Sequence, residues 1–217
     1  VKPGDFAEEE RRQRQKRIVL TAAELFLERG AEDVRMTDIA RECGIGVASL
    51  YRYFGTKSSI MLEAGTLLWQ DVARLFAPQF HSPEYAAADG FGQVKILLEA
   101  YVQLYVEQRP FLRFLDELDA VILSEKPDVD SLAPYRRSIM DFYDLFSAAY
   151  EKGRRDGSID CGADARFLYR TVTDLLNGAA KKFLRGEVLP EDDYSQGGAE
   201  LELFVEMALD YLRGGKK

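Results

Sequence analysis

Apolar residues in this chain recur three and four positions apart almost from end to end, and alternating β-branched stretches are scarce. That period belongs to the helix, so the spacing predicts an all-α fold of about nine helices with no convincing strand. The predicted helices run from about Asp5, where Asp5-Phe6-Ala7-Glu8 fits a capping box, to Gly30, and then over about 36–43, 47–53, 56–76, 91–108, 110–124, 131–152, 164–184 and 198–213. Turn-forming residues mark the breaks: Gly44-Ile45-Gly46, Phe54-Gly55, the stretch from Pro78 to Gly90, Lys126-Pro127, Gly153 to Gly162, and Gly186 to Gly197. With 217 residues, 47% of them apolar, the chain buries a sizeable core without covalent staples.

Reactive side chains are few. The two cysteines, Cys43 and Cys161, lie far apart and read as a small residue under a turn and a loop thiol. One histidine, His81 in a proline-flanked loop, excludes a multi-histidine metal site. The carboxylates Asp116, Glu117 and Asp119, and Asp141 with Asp144, have ordinary helical spacing and no histidine or cysteine partner. No catalytic residue, metal or cofactor is therefore expected. No apolar run reaches 18 residues and no secretory segment opens the sequence, so the expectation is a cytoplasmic protein without a membrane partner.

The net charge of −8 hides an asymmetry: residues 1–60 carry 11 Lys and Arg against 10 Asp and Glu, and the remaining 18 basic residues face 27 acidic ones. Phosphate attraction grows with local Lys and Arg, so any nucleic-acid contact belongs at the N-terminal end. There Glu8, Glu9 and Glu10 give way to Arg11, Arg12, Arg14, Lys16 and Arg17, a cluster placed either beside phosphates or on a solvated helix face.

The segment Met36 to Tyr51 has the shape of a helix-turn-helix. Gly44 sits where the chain reverses, tolerating the positive φ such a turn demands, while Ile39, Ala40, Cys43, Ile45, Leu50 and Phe54 form one buried face. The second short helix is left presenting Val47, Ala48, Ser49, Tyr51, Arg52 and Tyr53. Val47 and Ala48 methyls suit the thymine C5-methyl, Ser49 donates or accepts, and Tyr51, Tyr53 and Lys57 are placed for phosphates.

The residues Arg17-Ile18-Val19, Ala22, Leu25-Phe26, Gly30, Asp38-Ile39-Ala40, Gly44-Ile45, Ser49-Leu50-Tyr51, Tyr53-Phe54 and Lys57 together resemble the TetR-type (tetracycline-repressor-like) transcriptional regulators. A weaker similarity is Gly153-x-x-x-Gly157-x-Ile159 followed by Asp164. Arg35 stands where the family often has a Ser or Thr cap, and Gly46 and Ala48 replace commoner residues at the start of the recognition helix. The resemblance implies a DNA-binding domain over 1–57 and a ligand-binding and dimerisation domain over 58–217. It assigns DNA contacts to Arg35, Met36, Thr37, Val47, Ala48, Ser49, Tyr51, Arg52, Tyr53 and Lys57.

It further implies a homodimer that represses from a palindromic double-stranded operator and is released by a small apolar or amphipathic effector. Candidate effector contacts are Glu99, Tyr105, Phe114, Asp119, Phe142, Asp144, Phe146, Asp174 and Asn177, taken from aromatic helices and the polar residues interrupting them. Candidate dimer contacts are Leu168, Val172, Leu175, Leu176, Ala179 and Phe183 on one helix, and Leu201, Phe204, Val205, Ala208 and Leu212 on the next, with core packing as the alternative role. The competing function is a helical carrier or enzyme whose helix-turn-helix is only structural.

Overall fold

The computed structural model of the chain describes residues 3–139, 142–186 and 193–214, and among them lie eleven helices and no strand. They gather into two compact units, one drawn from Val1–Val72 and Arg113–Met140, the other from Ala73–Leu112 and Asp141–Lys217.

The first unit contains α1 (Pro3–Arg29), α2 (Met36–Glu42), α3 (Val47–Phe54), most of α4 (Lys57–Phe80) and of α7 (Arg109–Glu125), and α8 (Val129–Ser138). Helix α1 starts at Pro3, whose fixed φ suits a first turn, so Asp5 falls inside the helix; the capping role expected of its side chain lies outside the described residues. Two-turn helices such as α2 and α3 do not persist alone in water. They share a core with their neighbours: Ile39, Ala40 and Leu50 are fully buried together with Ala22 and Phe26 of α1 and Ile60 and Ala64 of α4. Truncating Leu50 to alanine there costs about 2–5 kcal/mol. Phe26 stacks on Phe114 of α7 with ring centroids 5.6 Å apart, which ties the short helices to a long one.

In the second unit, the end of α4 is followed by α5 (Pro83–Ala87), α6 (Gly90–Glu107), α9 (Tyr143–Asp156), α10 (Ala165–Arg185) and α11 (Gly197–Leu212). Helix α6 meets α9 almost backbone to backbone: a Cβ built on Gly90 would stand 2.0 Å from the Gly153 nitrogen. The loop that follows α9 folds back, Ile159 N–H donating to the Gly153 carbonyl at 3.0 Å, and Asp164 then caps α10 by accepting the Phe167 N–H at 2.9 Å.

Two differences from the sequence pattern raise the helix number from about nine to eleven. The expected loop from Pro78 to Gly90 instead continues α4 to Phe80 and holds α5, capped by Ser82, whose hydroxyl accepts the Tyr85 N–H at 3.1 Å. The expected helix over 131–152 is two helices, α8 and α9, flanked at the break by Ile139 and Phe142; no glycine or proline stands between them to signal it. The break expected over Gly186 to Gly197 lies largely outside the described residues.

Candidate nucleic-acid interface

The turn between α2 and α3 closes by paired backbone hydrogen bonds. Gly44 N–H donates to the Arg41 carbonyl at 3.1 Å and Ile45 N–H to the Ala40 carbonyl at 3.0 Å, with Gly44 at φ +64°. This 6→1 and 5→2 pairing ends a helix only when the residue between adopts the left-handed region, which glycine does without steric cost. At the other end of α2, Arg35 has no oxygen with which to cap. Asp38 does the work instead, accepting the Arg35 N–H at 3.0 Å and the Arg41 guanidinium at 2.9 Å, and the first of these bonds is the largest cause holding its carboxyl below its ordinary 3.8.

The recognition helix is fixed from beneath by Leu50 and Phe54, both buried, so its opposite side faces out. Ala48, Tyr51 and Arg52 are exposed, Tyr51 by 50%, and Val47, Ser49 and Tyr53 are half-buried at the edges of that face. The Arg52 guanidinium lies 5.8 Å from the Tyr53 ring centroid. Of the residues at the start of α2, Arg35 and Thr37 are exposed, but Met36 is only 7% exposed. Its thioether completes the apolar face with Ile39 and Ala40, so a base or backbone contact is corrected to a core role for that side chain.

Lys57 opens α4 beside the Thr56 hydroxyl, which accepts the Ser59 N–H at 3.1 Å and so caps the helix as expected. The lysine is half-buried in a cleft with Glu32 and Glu117, neither of which belongs to the sequence motif. Burial pulls its ammonium below its ordinary 10.5, while Glu117, Glu32 and Asp33 oppose that. Glu117 of α7 accepts the Ala31 N–H just past the end of α1, and Arg113, one turn earlier, donates to the Leu27 carbonyl at 3.1 Å. Burial raises the Glu117 carboxyl above its ordinary 4.5 against the pull of the Ala31 bond, Arg113 and Lys57. Sequence reasoning passed over this pair because their partners lie 86 positions away.

Residues 18–64, which span the inner face of α1, the turn and the first turns of α4, match the family model described as bacterial regulatory proteins, tetR family. Over those residues the chain carries a TetR-type head. The chain is similar to the HTH-type transcriptional regulator SAB2452 of Staphylococcus aureus, 28% identical over 132 residues that cover 61% of this chain and 66% of that relative. Two solved TetR-like folds extend the likeness beyond the head. A putative regulator of Saccharomonospora viridis, in complex with choline, superposes with a TM-score of 0.65 at 23% identity, covering 88% of this chain and 95% of the other. FadR of Thermus thermophilus, a TetR family repressor in complex with lauroyl-CoA, gives 0.57 at 20% identity over 91% and 94%.

Outside the TetR head, the candidate effector residues divide between the two units. Glu99, Asp144, Asp174 and Asn177 are exposed. Phe114 and Asp119 belong to the first unit, whereas Tyr105, Phe142 and Phe146 are buried in the second. The Tyr105 hydroxyl accepts from Arg109 at 2.8 Å. Phe142 and Phe146 do join an aromatic cluster: Phe142 contacts Phe80 and Tyr101 at 5.0 and 5.6 Å, and Phe146 contacts Tyr169 at 5.3 Å. The Tyr101 and Tyr169 hydroxyls lie 3.0 Å apart.

The candidate dimer residues divide by face. Leu168, Val172, Leu176, Leu201, Val205 and Leu212 are buried within the single chain; Ala179, Phe183, Phe204 and Ala208 are half-buried; Leu175 alone is exposed. The large apolar residues that face out on these two helices are Phe167 and the candidate Leu175 on α10, and Leu203, Met207 and Tyr211 on α11, the largest exposures being 68% at Phe167 and 60% at Met207. Among the described residues no helix is long and apolar enough to cross a membrane, and no three metal-ligating side chains gather.

Proposed function

We propose that the protein is a repressor that binds a palindromic operator as a symmetric dimer and is released by a small-molecule effector. The observation that carries this is the exposed face of α3, Val47, Ala48, Ser49, Tyr51 and Arg52, held outward by the burial of Leu50 and Phe54. A helix so presented enters a major groove by its N-terminal residues. Small side chains at 47–49 allow close approach to base edges, and Tyr51, Tyr53 and Lys57 lie where phosphates pass. Residues 1–57 form the DNA-binding part, and 58–217 the sensing and pairing part.

Pairing runs through the outward row of α10 and α11, where Phe167, Leu175, Leu203, Met207 and Tyr211 are spaced at helical repeats and exposed in the single chain. Exposed apolar side chains in this number favour an interaction face, and two copies of a helix pair form an isologous four-helix contact. A dimer sets two recognition helices about 34–36 Å apart, one turn of DNA. The effector acts on that spacing. Only two residues separate α3 from α4, so an effector that displaces α4 moves the reader. A coupling of about 1–3 kcal/mol weakens operator affinity roughly 5- to 150-fold.

Choline and lauroyl-CoA, held by the two structural relatives, bracket the chemistry to screen first. The test is titration of duplex DNA carrying candidate operators against random duplex at several salt concentrations. A sequence preference with a negative salt slope supports the reading; no preference over random duplex, or no salt dependence, defeats it.

A further inference from the structure

Beside the recognition helix, the first unit has a cleft of 450 Å³ lined by Glu10, Arg11 and Arg14 of α1 and by Arg52 and Tyr53 of α3. None of these residues except Arg52 and Tyr53 belongs to the helix-turn-helix. Arg11 and Arg14 are one turn apart on α1, so their side chains lie on one helix face, and both are exposed. Among the described residues neither has an ion-pair partner. Three arginines and a tyrosine thus line one space with a single acidic residue, in a chain whose net charge is −8.

Resting on the DNA-binding reading above, we infer that this cleft is a second phosphate grip: it takes the sugar–phosphate backbone of the same duplex that α3 reads. Guanidinium forks match phosphate oxygens bidentately, and the Arg52 guanidinium lies 5.8 Å from the Tyr53 ring centroid at the same cleft. Helix α1 runs 15 residues ahead of the family-matched segment and carries Arg11 and Arg14 on that stretch. Glu10 sets the strength of the grip by opposing phosphate at its rim.

The experiment measures binding of a mixed-sequence duplex across a salt series for the full chain, R11A/R14A, R11K/R14K and E10Q, with circular dichroism verifying that the exposed substitutions leave helicity unchanged. Each lost phosphate contact lowers the log–log salt slope by about 0.9. The double alanine variant is expected to lose about two such contacts and on the order of 10- to 100-fold in affinity near 0.1 M salt. R11K/R14K keeps the slope, because charge is retained, and E10Q tightens binding. An unchanged slope in R11A/R14A while the parent chain binds overturns the cleft and leaves the recognition helix standing. No salt-dependent duplex binding by the parent overturns both. Weakened binding of inorganic triphosphate by R11A/R14A, with an unchanged duplex slope, would likewise overturn the assignment to duplex backbone.

Discussion

As proposed phosphate contacts, Tyr51 and Lys57 would act through different physics. The tyrosine is neutral and open to solvent, so its hydroxyl contributes one hydrogen bond and releases no counterion. Tyr51→Phe is expected to weaken binding of every duplex alike while leaving the salt slope unchanged. Lys57 carries charge but shares it with Glu117, Glu32 and Asp33. Lys57→Ala therefore lowers the slope by about 1, and fluorescence anisotropy across a salt series separates the two cases. Glu117 links pH to stability. Its folded-state carboxyl is raised above 4.5, so between 4.5 and the raised value the folded protein holds a proton that the unfolded chain has shed. Stability conferred by the neutral form is complete below 4.5 and is lost as pH climbs through the raised value. Glu117→Gln, which keeps an acceptor for Ala31 N–H, is expected to flatten that decline; urea midpoints at a series of pH values measure it, and an unaltered profile refutes the assignment.

Elements were legible wherever a local rule fixed them. The α2–α3 turn follows from Gly44, whose φ of +64° and two closing hydrogen bonds are what a helix-ending glycine requires. Gly44→Ala places a Cβ in the left-handed region, at a cost of about 1–2 kcal/mol. Gly90→Ala drives a Cβ into the Gly153 backbone and destabilises by about 1–3 kcal/mol. Thermal unfolding should place both midpoints several degrees below the parent, Gly90→Ala lower. Where two faces of a helix are both apolar, the sequence alone did not choose between them. On α10, Leu175 and Leu176 are adjacent, yet the first is exposed and the second buried. On α11, Leu201 is buried and Leu203 exposed, an assignment made by neighbours distant in sequence. Met36 misled for a similar reason, since its position in the motif says where its backbone lies and not which way a flexible thioether turns. Effector residues were the least legible, because polar residues on α6 and α10 that interrupt apolar runs proved exposed.

For the whole molecule, the proposed pairing face makes a clear demand. Leu203→Glu with Met207→Glu puts charge at two exposed positions that contribute nothing to the buried core, so the chain should fold as before but run as a monomer by light scattering. Operator affinity should fall with it, since one short recognition helix in a chain of net charge −8 has little to hold it on DNA. A variant that remains dimeric would move pairing elsewhere. The uncovered row of Phe167, Leu175, Leu203, Met207 and Tyr211 also bears on dose. When subunits must meet before they engage a promoter, occupancy at low abundance climbs with the square of the number of chains per cell, so halving expression cuts silencing about fourfold. A gene under such control would switch over a narrower range of repressor supply than a lone reader would allow, and on the proposed pairing that steepness rests on five side chains outside the helix-turn-helix.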